Sequence, residues 1–336
     1  MKNNKIVRSI CWFAKNPEIG IEKISEIKKQ VEDLGYEVQT TRLCSPAIES
    51  VLILAPKYPE HLYSVGTLSL DNINQYFTKL TASDISFNLD LSEGDISNEA
   101  VAVLFRLVKE QAERTFNFTY TFQNRPSAPF YPSAHHERDG YSIGLQSTNL
   151  SNETVMQEEW LTAMKDCWDE LSENLKEDQN FLGIDSSVAP LNDGQSSYVG
   201  LVNRLSGDFS ESVTTDFHLK VTNFLKTQNP HPIGLCGLMF PCLEDDLLAK
   251  EYEAGNFSIE RNVFLSLHSG LGIDTYPIGV DESSERVLQI LQLVQGLAAK
   301  YDKPLSVRFV SDGKAKIGER TDFQNQYLED VKLLAL

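Results

Sequence analysis

Basic residues are in short supply in this chain of 336 residues: 30 lysines and arginines stand against 48 aspartates and glutamates, a formal net charge of −18. Binding a phosphate backbone means neutralising it with Lys and Arg, so a nucleic acid is not expected as a partner. The same deficit argues against an anionic membrane surface. Long apolar runs are missing as well, and none approaches the roughly 18 residues that a transmembrane helix requires. The N-terminal MKNNKIVRSICWFAKNPE starts basic but has no long apolar segment and no small-residue cleavage site, so it reads as no signal peptide. Cysteines number only five and are scattered, which excludes a disulfide framework. These features describe a cytoplasmic, reduced protein.

Several familiar motifs are also absent. No G-x-G-x-x-G or G-x-x-x-x-G-K-[ST] loop is present to cradle a nucleotide. There is no serine nucleophile elbow. The closest cysteines, Cys236 and Cys242, have five residues between them and no Cys-His partner pair, which fits neither a zinc site nor a Cys-x-x-Cys redox pair.

What is present is a globular composition, 41% hydrophobic and 10% aromatic, long enough to bury a core. Residues 5–13 (KIVRSICWF) are rich in β-branched and aromatic side chains and predict a strand. Asn16-Pro17-Glu18 then predicts a helix start, with Asn as cap and Pro at the first position. Ile21, Ile24, Ile27, Val31 and Leu34 share one helical face, Gly35 ends the helix, and residues 36–43 predict a second strand. Such a strand-helix-strand unit implies a parallel pair. Residues 49–55 fit either a strand or a buried helix, residues 98–114 a helix and residues 116–122 a strand. The proline-rich stretch 124–140 predicts a loop, and residues 153–179 a long acidic helix. Further strands are expected at 183–190, 234–240, 270–277 and 305–310, a helix at 284–300, and a short helix near the C-terminus. Helices and strands alternate without a linker or repeat, so residues 1–336 read as a single α/β domain with a largely parallel sheet or barrel. In such folds ligands lie at the carboxyl ends of the strands.

The loops after those strands carry the candidate chemistry. Glu244 and Asp245, in the run PCLEDD, have two readings: caps for the following helix, or a general base or cation ligand facing a pocket. Asp185 in GIDSSVAP and Asp274 in GLGIDTYP carry the same two readings. Carboxylates that meet at a barrel mouth push one pKa up, which suits acid–base work. Cys242, after Pro241 at the expected strand end, is the candidate reactive thiol, whereas Cys236 and Cys11 read as core. Of His135 and His136, one can turn into a pocket, and His135 is the candidate binding residue. Gly270 allows a ligand to approach the backbone closely.

Read in order, the motifs VRSICWF, LGYEVQTTRL, GIDSSVAP, GLMFPCLEDDLLA, GLGIDTYPIGVDESSERV and KPLSVRFVSDGKAKIGERTDF resemble the DUF711 family over most of the chain. The resemblance implies a ten-stranded α/β barrel like that of the pyruvate formate-lyase-like glycyl radical enzymes, and it brings no assigned reaction. Many members carry a cysteine where this chain has Ser269, and the usual Pro-Gly-Asp appears here as Gly279-Val280-Asp281. Ser269 and Arg308, both within these motifs, are candidate substrate-binding residues. A glycyl radical loop needs an Arg-x-x-Gly-Tyr-like pattern. After Arg308 the glycine is displaced to Gly313 and the tyrosine is missing, so no glycyl radical is expected. The expectation is an enzyme acting on a small polar metabolite by acid–base chemistry at the barrel mouth. The alternative is a non-catalytic small-molecule binding or regulatory protein. Metal identity stays unknown, a divalent cation at the carboxylates stays open, and so does a homo-oligomer.

Overall fold

The computed structural model describes residues 5–191 and 195–336. The first four residues of the expected basic N-terminus lie outside the described residues. Ten strands form one sheet: β1 (Ile6–Phe13), β2 (Glu37–Val38), β3 (Thr41–Cys44), β4 (Leu62–Leu68), β5 (Ile85–Asp90), β6 (Phe118–Phe122), β7 (Gly140–Leu145), β8 (Phe181–Asp185), β9 (Gly272–Pro277) and β10 (Leu305–Val310). Their order is β8-β7-β1-β3-β4-β5-β6-β10-β9, with β2 pairing β1. Helices alternate with the strands, so the fold is mixed α/β.

The sheet is mostly parallel, with two antiparallel joints. β1, β3, β4, β5 and β6 run one way. β7 and β8, and β9 and β10, form parallel pairs. These pairs meet the first block antiparallel, at β1–β7 and β6–β10. The carboxyl ends of β7 to β10 therefore lie beside the amino ends of β1 to β6. That relation decides which loops share a site.

Local signals account for the first unit. Asn16 Oδ1 accepts from the Glu18 N–H at 3.2 Å and caps helix Pro17–Asp33. The helix buries Ile21, Ile24, Ile27 and Val31, and it ends before Gly35, whose φ of +91° suits a glycine. The expected second strand is two short pieces, β2 and β3, both parallel to β1. Residues 48–54 are a helix, and β10 has the predicted bounds. Buried apolar residues from Val7 to Val331 form one contiguous cluster. No helix among the described residues is long and apolar enough to cross a membrane.

Two expectations fail, and one strand was not foreseen. The segment 234–240 is not a regular strand. It makes isolated parallel bridges only, Val188 to Leu238 and Leu238 to Gly270, with Ile184 to Pro232 and Pro241 to Asp274 on either side. Residues 232–241 thus touch both edge strands without a continuous ladder, because Gly234 and Cys236 take positive φ values of 71° and 47°. The proline-rich stretch is followed at once by β7, whose antiparallel direction no local pattern reveals. The tail after β10 holds no helix among the described residues.

Candidate functional site

A cavity of about 650 Å³ opens where the two blocks of the sheet meet, within the range of small-molecule sites. It takes residues from the amino ends of β1, β3 and β4 and from the carboxyl sides of β8, β9 and β10. The motif loops converge there: Ala189 and Pro190 follow β8, Met239, Pro241 and Glu244 come from the PCLEDD segment, and Asp274 belongs to β9.

Arg308 is the centre of its charge network. Its Nε donates to Asp274 Oδ1 at 2.6 Å, its Nη2 to Glu244 Oε1, and its Nη1 to the Phe116 carbonyl at 3.3 Å. The guanidinium also lies over the Phe116 ring, 5.0 Å from the centroid. Two local devices set this geometry. In β9 the pairing steps from Ile273–Val307 to Tyr276–Phe309, so Asp274 and Thr275 together oppose Arg308. This bulge, with Thr275 at φ +39°, turns Asp274 onto Arg308. Glu244 is held by the turn after Pro241: its N–H donates to the Pro241 carbonyl at 3.2 Å, while Cys242 N–H donates to the Asp274 carbonyl at 2.9 Å.

Burial sets the electrostatics. It pushes the Glu244 carboxyl above its ordinary pKa against the pull of Arg308, and neighbouring Asp274 adds to the rise. Burial opposes the Arg308 charge, but Asp274 and Glu244 outweigh it and hold that guanidinium firmly protonated. Tyr131, at the cavity wall, is kept a neutral phenol by burial. A carboxyl bound to a cation at a cavity wall, with its proton affinity raised by burial, is placed to exchange a proton with a bound molecule.

Two further arginines belong to the cavity and were missed in the sequence. Arg8 is the extra residue of a β-bulge, since Val7 pairs Leu145 and Ser9 pairs Gly144. Strict alternation would put it with the core residues Ile10 and Trp12, and the bulge redirects it. Arg42, on neighbouring β3, stacks over the Tyr131 ring at 5.0 Å and donates from Nε to Thr40 Oγ1 at 3.1 Å. An arginine inside an otherwise apolar strand was the available signal.

Of the residues singled out in the sequence, Glu244, Asp274 and Arg308 meet in this cavity. The others lie elsewhere. Asp185 is fully buried and organises the 234–237 backbone, accepting from Leu235 N–H at 2.9 Å, Cys236 N–H at 3.0 Å and Ser187 Oγ at 2.6 Å. Asp245 takes the capping reading. It caps helix Asp246–Glu253 and also accepts from Ser197 Oγ at 2.5 Å and Tyr198 N–H at 2.7 Å, where helix Tyr198–Ser206 begins. Burial pushes its pKa up to about 6.

Cys242 is not released into the loop: it is fully enclosed, and burial raises its thiol pKa well above the ordinary value, the opposite of an activated thiolate. His135 bonds Thr67 Oγ1 at 3.1 Å, toward the carboxyl end of β4, whereas the cavity takes Leu62 at the amino end of that strand. Ser269 and Gly270 precede β9 and so sit at its amino end. Ser269 Oγ pairs with His268 Nδ1 at 2.7 Å, and Gly270 bridges Leu238. Among the described residues no group of three or more His, Cys, Asp or Glu is placed to hold a metal ion.

No curated protein matches the chain. A family model described as "Uncharacterised ACR (DUF711)" matches residues 60–325, a span that includes Glu244, Asp274 and Arg308 but begins after Arg8 and Arg42. The chain belongs to the DUF711 family.

Proposed function

We propose that this chain is a cytoplasmic enzyme, one α/β domain, that acts on a small polar metabolite by non-radical acid–base chemistry in the cavity. The observation that carries the proposal is the buried Arg308 that holds Glu244 and Asp274 together at the cavity. When protonated, Glu244 donates to a substrate atom, and Arg308 stabilises the carboxylate left behind. When ionised, it abstracts a proton, and the low-dielectric wall favours the return step. Aromatic side chains at Phe116, Phe323 and Tyr327 supply an apolar wall for a carbon skeleton.

The bridges from residues 232–241 to both β8 and β9 support closure of the sheet into a barrel of the glycyl-radical-enzyme type. Gly313 adjoins Val108 and Ala112, and no tyrosine accompanies it, which supports chemistry without a radical. Five free, buried cysteines support a reducing compartment. The test is to incubate the protein with a pooled set of small carboxylates, phosphate esters, amides and polyols and to follow consumption by NMR. Consumption of a compound is expected. Binding of a compound without any turnover would replace this reading with a non-catalytic binding protein.

A further inference from the structure

We infer that Arg8 and Arg42 form an oxyanion subsite in the same cavity, so that the metabolite carries a carboxylate or phosphate group. The inference rests on the acid–base reading above and names its substrate class.

The first support is an imbalance in pairing. Arg308 has two carboxylates within bonding distance, whereas neither Arg8 nor Arg42 makes an ion pair among the described residues. Arg8 Nε is shut off from solvent and has no hydrogen-bond partner among the described residues. Arg42 spends only its Nε, on a neutral hydroxyl. The terminal nitrogens of both bond nothing among the described residues and belong to side chains that line the cavity. Buried guanidinium groups cost free energy unless an anion or acceptor satisfies them. Two such groups side by side, on adjacent strands, are a binding site waiting for its counter-charge.

Charge counting shows which cations are left over. The lining holds four arginines (Arg8, Arg42, Arg114, Arg308) and four carboxyls (Asp84, Glu113, Glu244, Asp274), but Arg114 pairs Asp84 and Arg308 holds Glu244 and Asp274. Arg8 and Arg42 are the lining arginines without an ion pair among the described residues. The crowding is visible on Arg8: burial, joined by repulsion from Arg42, lowers its pKa to about 10.

Rigidity is the third support. The β1 bulge fixes the direction of Arg8, and the Tyr131 ring fixes the plane of Arg42. Pre-aimed planar forks suit the two or three oxygens of a carboxylate or phosphate. An oxyanion seated there anchors the substrate, and the rest of the molecule extends to Glu244 and the aromatic wall.

The test uses the full chain and two probes, inorganic phosphate and succinate, with binding read by isothermal titration. Wild type should bind one of them, more weakly as salt rises. Preference for phosphate assigns a phosphate ester, and preference for succinate a carboxylate. Arg8→Gln and Arg42→Gln should each weaken that binding about tenfold or more. Arg8→Lys and Arg42→Lys keep the charge without the fork and should fall between. Glu244→Gln should bind as well as wild type or better. Thermal unfolding of each variant separates loss of binding from loss of fold. Absence of binding to both anions in the wild type, or wild-type affinity in both folded Gln variants, would overturn the subsite. Turnover of a metabolite that survives both Gln substitutions would overturn the subsite and leave the acid–base reading intact. Anion binding without turnover of any metabolite would do the reverse.

Discussion

Arg308 Nε lies 2.6 Å from Asp274 Oδ1, and the same guanidinium reaches Glu244 through Nη2, so one cation holds two carboxyls from two segments. Arg308 and Glu244 are both nearly inaccessible, with side-chain exposures of 7% and 10%. A buried network of this kind is costly to break on one side only, because the remaining charges lose their partner. Arg308→Met should therefore destabilise the protein by roughly 3–5 kcal/mol at neutral pH. The loss should shrink in acid, where the carboxyls take up protons. Urea unfolding at two pH values checks both parts.

The unpaired arginines should behave in the opposite way. Arg8→Met removes a crowded guanidinium that makes no ion pair among the described residues, and it should raise stability by about 0.5–2 kcal/mol while it weakens anion binding about tenfold or more. Stability gained together with function lost is the signature of a site kept at the expense of the fold. A Tm at or below that of the wild type would count against an unpaired Arg8.

His218 is fully buried, with Tyr198 Oη 2.9 Å from Nδ1 and Ser212 Oγ 3.1 Å from Nε2. Burial, helped by His268, lowers its pKa from 6.5 to about 3, and the rings of Phe209, Phe217 and Phe240 complete its surroundings. A depressed base contributes stability above its unfolded pKa and loses that contribution as the pH falls toward the folded value. From His218 alone, stability should drop by roughly 2–3 kcal/mol between about pH 6.5 and about pH 4.5. His218→Gln should flatten that part of the profile, which urea titrations across this range would reveal.

Both cysteines of GLCGLMFPCLEDD are buried, so Cys236 keeps its expected burial and Cys242 is not the released thiol. Cys236 has an acceptor, the Ile233 carbonyl, at 3.3 Å from Sγ, so a serine there keeps a partner. Cys242 is completely enclosed within the apolar core. Cys242→Ser should cost roughly 1–3 kcal/mol, and Cys236→Ser less. Both thiols should label slowly in the native state. Rapid native labelling of Cys242 would contradict its burial.

How far the sequence reveals this arrangement depends on the range of the interaction. The Asn16 cap, the stripe from Ile21 to Val31 and the strand at Leu305 are local signals, and they are legible. Asp245 as a helix cap was one of its two readings, and local chemistry settles it. Strand direction is set by distant pairing, so neither the antiparallel entry of β7 nor the meeting of opposite strand ends could be read. That is why His135, Ser269 and Gly270, each beside a glycine-containing strand, lie outside the cavity. Arg8 and Arg42 were hidden because bulges and ring stacking have no sequence period.

The most direct measurement is the turnover number for whichever metabolite the wild type consumes, compared among wild type, Glu244→Gln and His135→Gln. Glu244 bonds Arg308 in the cavity, and His135 is bonded to Thr67 toward the opposite end of β4, outside the cavity lining. Glu244→Gln should lose about 10²–10⁴-fold in kcat, the usual contribution of a positioned acid or base, while His135→Gln stays near the wild-type rate. A wild-type rate in folded Glu244→Gln would contradict the account.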